Sequence, residues 1–94
     1  MFTIAAYQNL EAIFVAVDKI SNKYLSGSLA KKDYITIMQS SFLRRLKQCN
    51  KNETQRRQAQ RVYEEWNKSV RGWSGRTLID NTTQSIKNFV DIFS

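Results

Sequence analysis

The chain has 94 residues, of which 41% are hydrophobic and 24% are charged, and it carries a net charge of +7. This composition is typical of a folded protein and excludes a disordered chain, and the length suits one core. Residues 1–94 are therefore expected to form a single domain. The lone cysteine, Cys49, excludes an internal disulfide. The absence of proline favours long helices joined by glycine-containing turns.

Hydropathy argues against a membrane protein. The longest apolar run, Ala12–Val17, has six residues, whereas a membrane-spanning helix needs about 20. The N-terminus lacks the basic start of a secretory signal, and Glu11 interrupts its apolar stretch. We therefore expect a cytoplasmic protein with no membrane partner.

Positive charge is concentrated in the central third of the chain. Residues 31–62 contain nine basic and two acidic residues, whereas residues 1–30 and 63–94 are each neutral. Solubility does not require such clustering. Two neutral flanks around a basic centre indicate a neutral scaffold that holds one cationic surface against a polyanion.

Apolar residues at three- and four-residue intervals predict four helices and no strands. The first helix is expected over residues 3–25, with Thr3 as its N-cap. Gly27 is predicted to end this helix in a left-handed conformation, and Ser28 to cap the second helix, which is expected over residues 29–49.

The second half of the chain repeats this organisation. Asn52 and Gln55 have the form of a capping box, which predicts the start of a third helix over residues 53–71. A glycine-containing break separates it from a fourth helix, expected over residues 76–93. The four helices together predict an all-α fold, a compact bundle.

The basic residues of the second and third helices lie opposite the apolar ones. Arg44 and Lys47 are expected on the outer side of the second helix, and Arg57 and Arg61, one turn apart, on that of the third. Like charges at this spacing repel each other by about 0.2–0.5 kcal/mol, and bound phosphates relieve that repulsion. Arginine suits phosphate because its fork binds two oxygens.

Both basic stripes are expected to converge beside the turn at Asn50, because helices joined by a short connection pack antiparallel. Lys31 and Lys32 fall a full helix away from this turn. The predicted nucleic-acid-binding residues are Arg44, Arg45, Lys47, Lys51, Arg56, Arg57 and Arg61.

Three other interpretations of this surface stay open. It is a solvated cationic face without a specific partner, or it contacts a membrane surface, although no exposed apolar row accompanies it. The third is a helix-turn-helix that places Gln55 and Arg56 near bases, but its turn lacks the customary glycine. Phosphate contact without sequence preference is the interpretation that the residues favour.

An aromatic loop, residues 71–76, separates the third and fourth helices. In one interpretation Trp73 stacks on an unpaired base while Arg71 and Arg76 hold phosphates. Lys68, near the end of the third helix, is a further candidate for contact with nucleic acid. In the other, Trp73 continues the apolar stripe of the third helix and closes the end of the bundle. Its spacing of three residues from Val70 favours the second interpretation.

The residue inventory argues against catalysis. The chain has no histidine and one cysteine, which excludes histidine-based triads and zinc sites of histidine and cysteine ligands. Glu64 and Glu65 are adjacent and point about 100° apart on a helix, which is unsuited to a paired-carboxylate site. We expect neither an enzyme nor a cofactor.

In its size, its helical content and its basic face, the chain resembles the small helical subunits of CRISPR effector complexes. The resemblance covers the whole chain at the level of architecture. It implies a non-catalytic, antiviral-defence subunit that guides an RNA or DNA strand along positive side chains. Its neutral first and fourth helices would pack against larger subunits or further copies. The alternative is a phage- or plasmid-type inhibitor or adaptor that grips an acidic surface of a host protein.

Overall fold

The structure, a computed structural model, describes residues 10–48 and 52–93, and these form four α-helices and no strand. The predicted all-α bundle is confirmed. Residues 3–9 of the predicted first helix, with its cap Thr3, lie outside the described residues, as do Cys49 and Lys51. The helices are α1 (Leu10–Leu25), α2 (Lys31–Gln48), α3 (Glu53–Ser69) and α4 (Gly75–Asp91), with a short 3-10 helix at Val70–Gly72.

Neighbouring helices run antiparallel. The start of one helix meets the end of its neighbour in three hydrogen bonds, which join Lys31 to Arg71, Gln55 to Ile92 and Gly75 to Tyr24. The antiparallel packing predicted for α2 and α3 is therefore confirmed, and the bundle has an up-down-up-down order. One end holds the start of α3 and is called the Asn52 end. The opposite end holds the start of α4 and is called the Ser74 end.

The turn between α1 and α2 is longer than the sequence predicts. Gly27 adopts the predicted left-handed conformation, with φ of 85°, which only glycine adopts without strain. The amide of Leu29 then donates to the carbonyl of Lys23 at 3.1 Å. Because this bond holds residue 29 against the end of α1, α2 begins at Lys31. The helix therefore begins two residues later than the predicted start at about residue 29, and the cap predicted at Ser28 is wrong.

The start of α3 is as predicted, and its cap also joins two helices. The side-chain oxygen of Asn52 accepts a hydrogen bond from the amide of Gln55 at 3.1 Å. The side-chain amide of Gln55 donates in turn to the carbonyl of Ile92, just after α4. A local capping signal therefore also holds the last turn of α4, whose carbonyls have no partner within the helix.

The later helix ends differ from prediction by about two residues. Helix α3 ends at Ser69, after which the amide of Val70 still donates to the carbonyl of Trp66 and the chain tightens into the 3-10 helix. Helix α4 ends at Asp91 rather than at residue 93. Beyond Asp91, the amides of Ile92 and Phe93 bond to carbonyls three residues back. Such tightening of a last turn is common where helix ends lose their regular partners.

The core contains a polar network among its apolar side chains. The indole nitrogen of Trp66 donates to the hydroxyl of Thr82 at 3.0 Å, and the hydroxyls of Ser21 and Tyr34 are 3.2 Å apart. Tyr34 and Thr82 are 0% exposed. Burial raises the pKa of Tyr34, and hydrogen bonds with Ser21 and Thr82 partly counter this rise. Since each of the four residues lies on a different helix, the network ties the bundle together.

Candidate nucleic-acid interface

Charge is divided between pairs of helices. Helices α2 and α3 carry nine basic and four acidic residues, whereas α1 and α4 each carry two basic and two acidic residues. Because α2 and α3 are neighbours, the excess positive charge lies on one side of the bundle. The remaining two basic residues, Lys51 and Arg71, follow these two helices in sequence.

At the end of α2, the predicted site residues differ in their surroundings. Lys47 is exposed, whereas Arg44 and Arg45 are half-buried. The Arg45 guanidinium carbon lies 5.3 Å from the ring centroid of Phe93, beyond the end of α4. This distance is typical of a cation–π interaction. Arg45 therefore stabilises the junction of α2 and α4, a contact that no local pattern indicates.

At the start of α3, one carboxylate forms ion pairs with two arginines that are predicted to bind phosphate. A side-chain oxygen of Glu53 lies 3.4 Å from a terminal nitrogen of Arg56 and 3.5 Å from Nε of Arg57. The hydrogen bond from Arg56, followed by its positive charge, lowers the pKa of Glu53. Glu53 is therefore ionised at neutral pH, and it offsets part of the positive charge at this end.

Farther along α3, two basic side chains have no partner among the described residues. Within residues 10–48 and 52–93, the side chains of Arg61 and Lys68 are exposed and take part in no ion pair or hydrogen bond, as is true of the Lys47 side chain. Glu64 and Glu65 are also exposed on α3 but make no ion pair within that part of the chain. Lys47, Arg61 and Lys68 are accordingly available to an external anion.

A second basic cluster lies at the Ser74 end, in a groove between α2 and the 3-10 helix that follows α3. We call it the α2–α3 groove. The Lys31 ammonium donates to the carbonyl of Arg71 at 3.0 Å and to the hydroxyl of Ser74 at 3.3 Å. Sixteen residues separate Lys31 from Lys47, which is about 24 Å along a helix. The groove is lined by Lys31, Lys32, Ile35, Thr36, Gln39 and Arg71.

The sequence predicts that Lys31 and Lys32 lie a full helix away from the turn at Asn50, and the structure has both at the opposite end of α2. Sequence reasoning also assigned Arg71 to the aromatic loop and left out Thr36 and Gln39. The recurrence of polar residues one turn apart on α2, Lys32 with Thr36, was the local signal for the groove. Nothing local joins them to Arg71, because that contact crosses between helices.

In the aromatic loop, Trp73 is half-buried and packs against the hydrophobic core. Its amide donates to the carbonyl of Val70 at 3.2 Å, so the loop turns back toward the bundle. Arg76, in contrast, is exposed. This packing agrees with the interpretation in which Trp73 closes the end of the bundle.

Neither a metal site nor a membrane span is found in the described part of the chain. The described residues contain no group of three or more histidine, cysteine, aspartate or glutamate side chains placed to hold a metal ion. Among the same residues, no helix has the length and apolar character needed to cross a membrane. Comparison with protein-family models, curated proteins and solved structures found no match.

Proposed function

We propose that the protein is a non-catalytic subunit that binds the backbone of nucleic acid through α2 and α3, without sequence preference. The observation that carries this proposal is the division of charge, in which two adjacent helices hold all the helical excess and the other two are neutral. Phosphates on this side would neutralise mutually repelling cations and release condensed counterions, which favours binding. Lys47, Arg61 and Lys68 are the side chains best placed for the contact.

The neutral helices suit a different partner. Helices α1 and α4 are adjacent, and α1 carries Val15, which is 64% exposed. A neutral surface meets larger subunits or further copies of the chain without electrostatic repulsion. The proposal thus includes assembly into a nucleoprotein complex in the cytoplasm, in keeping with the resemblance to small subunits of CRISPR effector complexes.

Fluorescence anisotropy with labelled mixed-sequence single strands and duplexes, of both RNA and DNA, tests the proposal between about 50 and 200 mM salt. Log affinity should fall with log salt by about 0.7 per contacted phosphate for a single strand and about 0.9 for a duplex. The Lys47→Glu, Arg61→Glu double variant should bind more weakly. Its salt slope should also fall by about that amount for each phosphate that it no longer binds.

The matched control is Lys19→Glu with Lys23→Glu on α1, where both side chains are exposed. It changes the net charge by the same amount but lies outside the proposed surface, so this variant should retain most of the affinity for nucleic acid. Circular dichroism should show equal helix content in both variants. Equal losses from the two pairs would mean that net charge alone governs binding. No binding at about 50 mM salt would overturn the proposal and leave an acidic protein surface as the alternative target.

A further inference from the structure

We propose that the α2–α3 groove at the Ser74 end is a phosphate-binding site. This inference deepens the proposed function and rests on it where the phosphate belongs to a nucleic-acid strand. The groove lies outside the surface that the sequence predicts beside Asn50. It would give a bound strand a second point of attachment near the opposite end of the same two helices.

The first argument is electrostatic. Three cations from two segments, Lys31, Lys32 and Arg71, line the groove, and no carboxylate lines it in the described part of the chain. Charges of one sign in a concave site focus their field on an incoming anion. A phosphate bound there would offset the repulsion that folding imposes by bringing Arg71 beside the start of α2.

The second argument is preorganisation. Two hydrogen bonds hold the Lys31 ammonium, and a terminal guanidinium nitrogen of Arg71 donates to the carbonyl and side-chain oxygen of Asn67, at 3.3 and 3.4 Å. These side chains are therefore restricted in rotation before a ligand arrives, which reduces the entropic cost of binding. The other N–H groups of Arg71 remain as donors for phosphate oxygens.

The third argument is the supply of further donors. The side-chain amide of Gln39 donates to the Tyr63 hydroxyl at 3.2 Å, which orients it and leaves its second N–H as a donor. Lys32, one turn before Thr36, is exposed, and its side chain makes no ion pair or hydrogen bond within residues 10–48 and 52–93; its backbone carbonyl accepts from the Thr36 hydroxyl at 3.0 Å. The groove thus combines the exposed ammonium of Lys32 with oriented donors, a combination that suits a tetrahedral anion.

Titration of 15N-labelled protein with sodium phosphate, followed by NMR, tests the site directly. The amide signals of Lys32, Thr36 and Gln39 should shift saturably with phosphate. Lys32→Gln with Arg71→Gln should abolish the saturable shift, whereas Lys19→Gln with Lys23→Gln, at exposed positions of the neutral helix α1, should preserve it. Lys32→Gln alone, which breaks no hydrogen bond or ion pair of the described residues, provides the same test if the double variant fails to fold.

A second titration uses a single strand with hydroxyl groups at both ends, so that all its phosphates are internal. If the groove holds a backbone phosphate, Lys32→Gln with Arg71→Gln should weaken strand binding. It should also reduce the salt slope by about 0.7 for each phosphate that is no longer bound. The Lys19→Gln, Lys23→Gln control should bind as the wild type does.

The outcomes separate this inference from the proposed function. If the strand binds but phosphate moves no groove signal and the groove variant binds normally, the inference fails and the proposed function stands. If phosphate saturates the groove while no strand binds at about 50 mM salt, the proposed function fails and the groove remains a site for a free phosphate ester. Equal shifts with sodium chloride at the same ionic strength would overturn the phosphate site.

Discussion

The two ends of the bundle use positive charge in opposite ways. At the Asn52 end cations are dense in sequence, but Arg45 lies over the ring of Phe93, and Arg56 and Arg57 share the carboxylate of Glu53. At the Ser74 end cations are fewer, yet Lys32 lines a groove without a carboxylate in its described lining. Density of charge along a sequence therefore does not measure the charge available to a partner. That depends on which neighbours the fold supplies.

The largest expected effect comes from the core that both ends share. Replacing Thr82 by valine removes the acceptor of the Trp66 indole N–H, which is buried. We expect Thr82→Val to cost about 1–3 kcal/mol, the usual penalty for an unsatisfied buried donor. A thermal melt should show about 4–8 °C of lowering for each kcal/mol in a domain of this size.

Thr77→Val, at an exposed position of α4, is the control and should leave the melting temperature nearly unchanged. Hydrogen exchange of the Thr82→Val variant should accelerate at both ends of the bundle by a similar factor. Acceleration confined to one end would show that the two ends unfold separately, and the comparison would then concern two units rather than one.

A smaller effect distinguishes the ends from each other. Arg45→Ala should lower the free energy of unfolding by about 1 kcal/mol, because it removes the cation–π contact with Phe93 and the packing of the arginine stem. Lys32→Ala, at the other end, should change it by less than about 0.5 kcal/mol. Urea denaturation measures the free energy of unfolding of both variants. Equal decreases would mean that the cations at the two ends contribute equally to stability.

The smallest effect should be a gain in binding. Glu53→Gln releases Arg56 and Arg57 from their shared carboxylate, so we expect a few-fold tighter binding of nucleic acid at low salt and a steeper salt slope. Asp80→Asn on α4 makes the same change in net charge at an exposed position and should have little effect. A gain of the same size from both variants would attribute it to net charge.

Acidity provides a further check on Glu53. Its pKa is lowered from the usual 4.5, chiefly by the hydrogen bond and charge of Arg56. A carboxyl whose pKa is lower in the folded than in the unfolded state stabilises the fold at pH values above its unfolded-state pKa. That stabilisation is lost as the pH falls through the folded-state pKa. The stability difference between wild type and Glu53→Gln should therefore hold from neutral pH to about pH 5 and shrink only below 4.5.

The sequence predicted those features of the fold that depend on near neighbours. Gly27 ends α1 in the left-handed conformation, and Asn52 caps α3, because each acts on backbone within three residues of itself. The start of α2, in contrast, lies two residues later than predicted. Leu29 belongs to the apolar pattern of α2, but its amide bonds to the carbonyl of Lys23 in α1, and apolar periodicity does not register a backbone hydrogen bond.

The candidate site was predicted less completely. Placing Lys47 and Arg61 on outward faces needed only the helical period, and the structure has both exposed. Arg45 was assigned to the same surface, because the ring of Phe93 is 48 residues away and invisible to a local pattern. Thr36 and Gln39 were not assigned at all, since they become groove residues only when Arg71, in the 3-10 helix after α3, lies beside α2.

The sequence by itself determined the four helices, the turns between them and the separation of basic from neutral segments. These features follow from periodicity and composition. Only the tertiary structure decided which cations are free, which are paired, and that Arg71 joins Lys31 and Lys32 across 40 residues of chain. The physical reason is that electrostatic interactions depend on distance in space. Antiparallel packing brings Lys31 and Arg71 together. The rise of α2, in contrast, holds Lys31 and Lys47 at opposite ends of one helix.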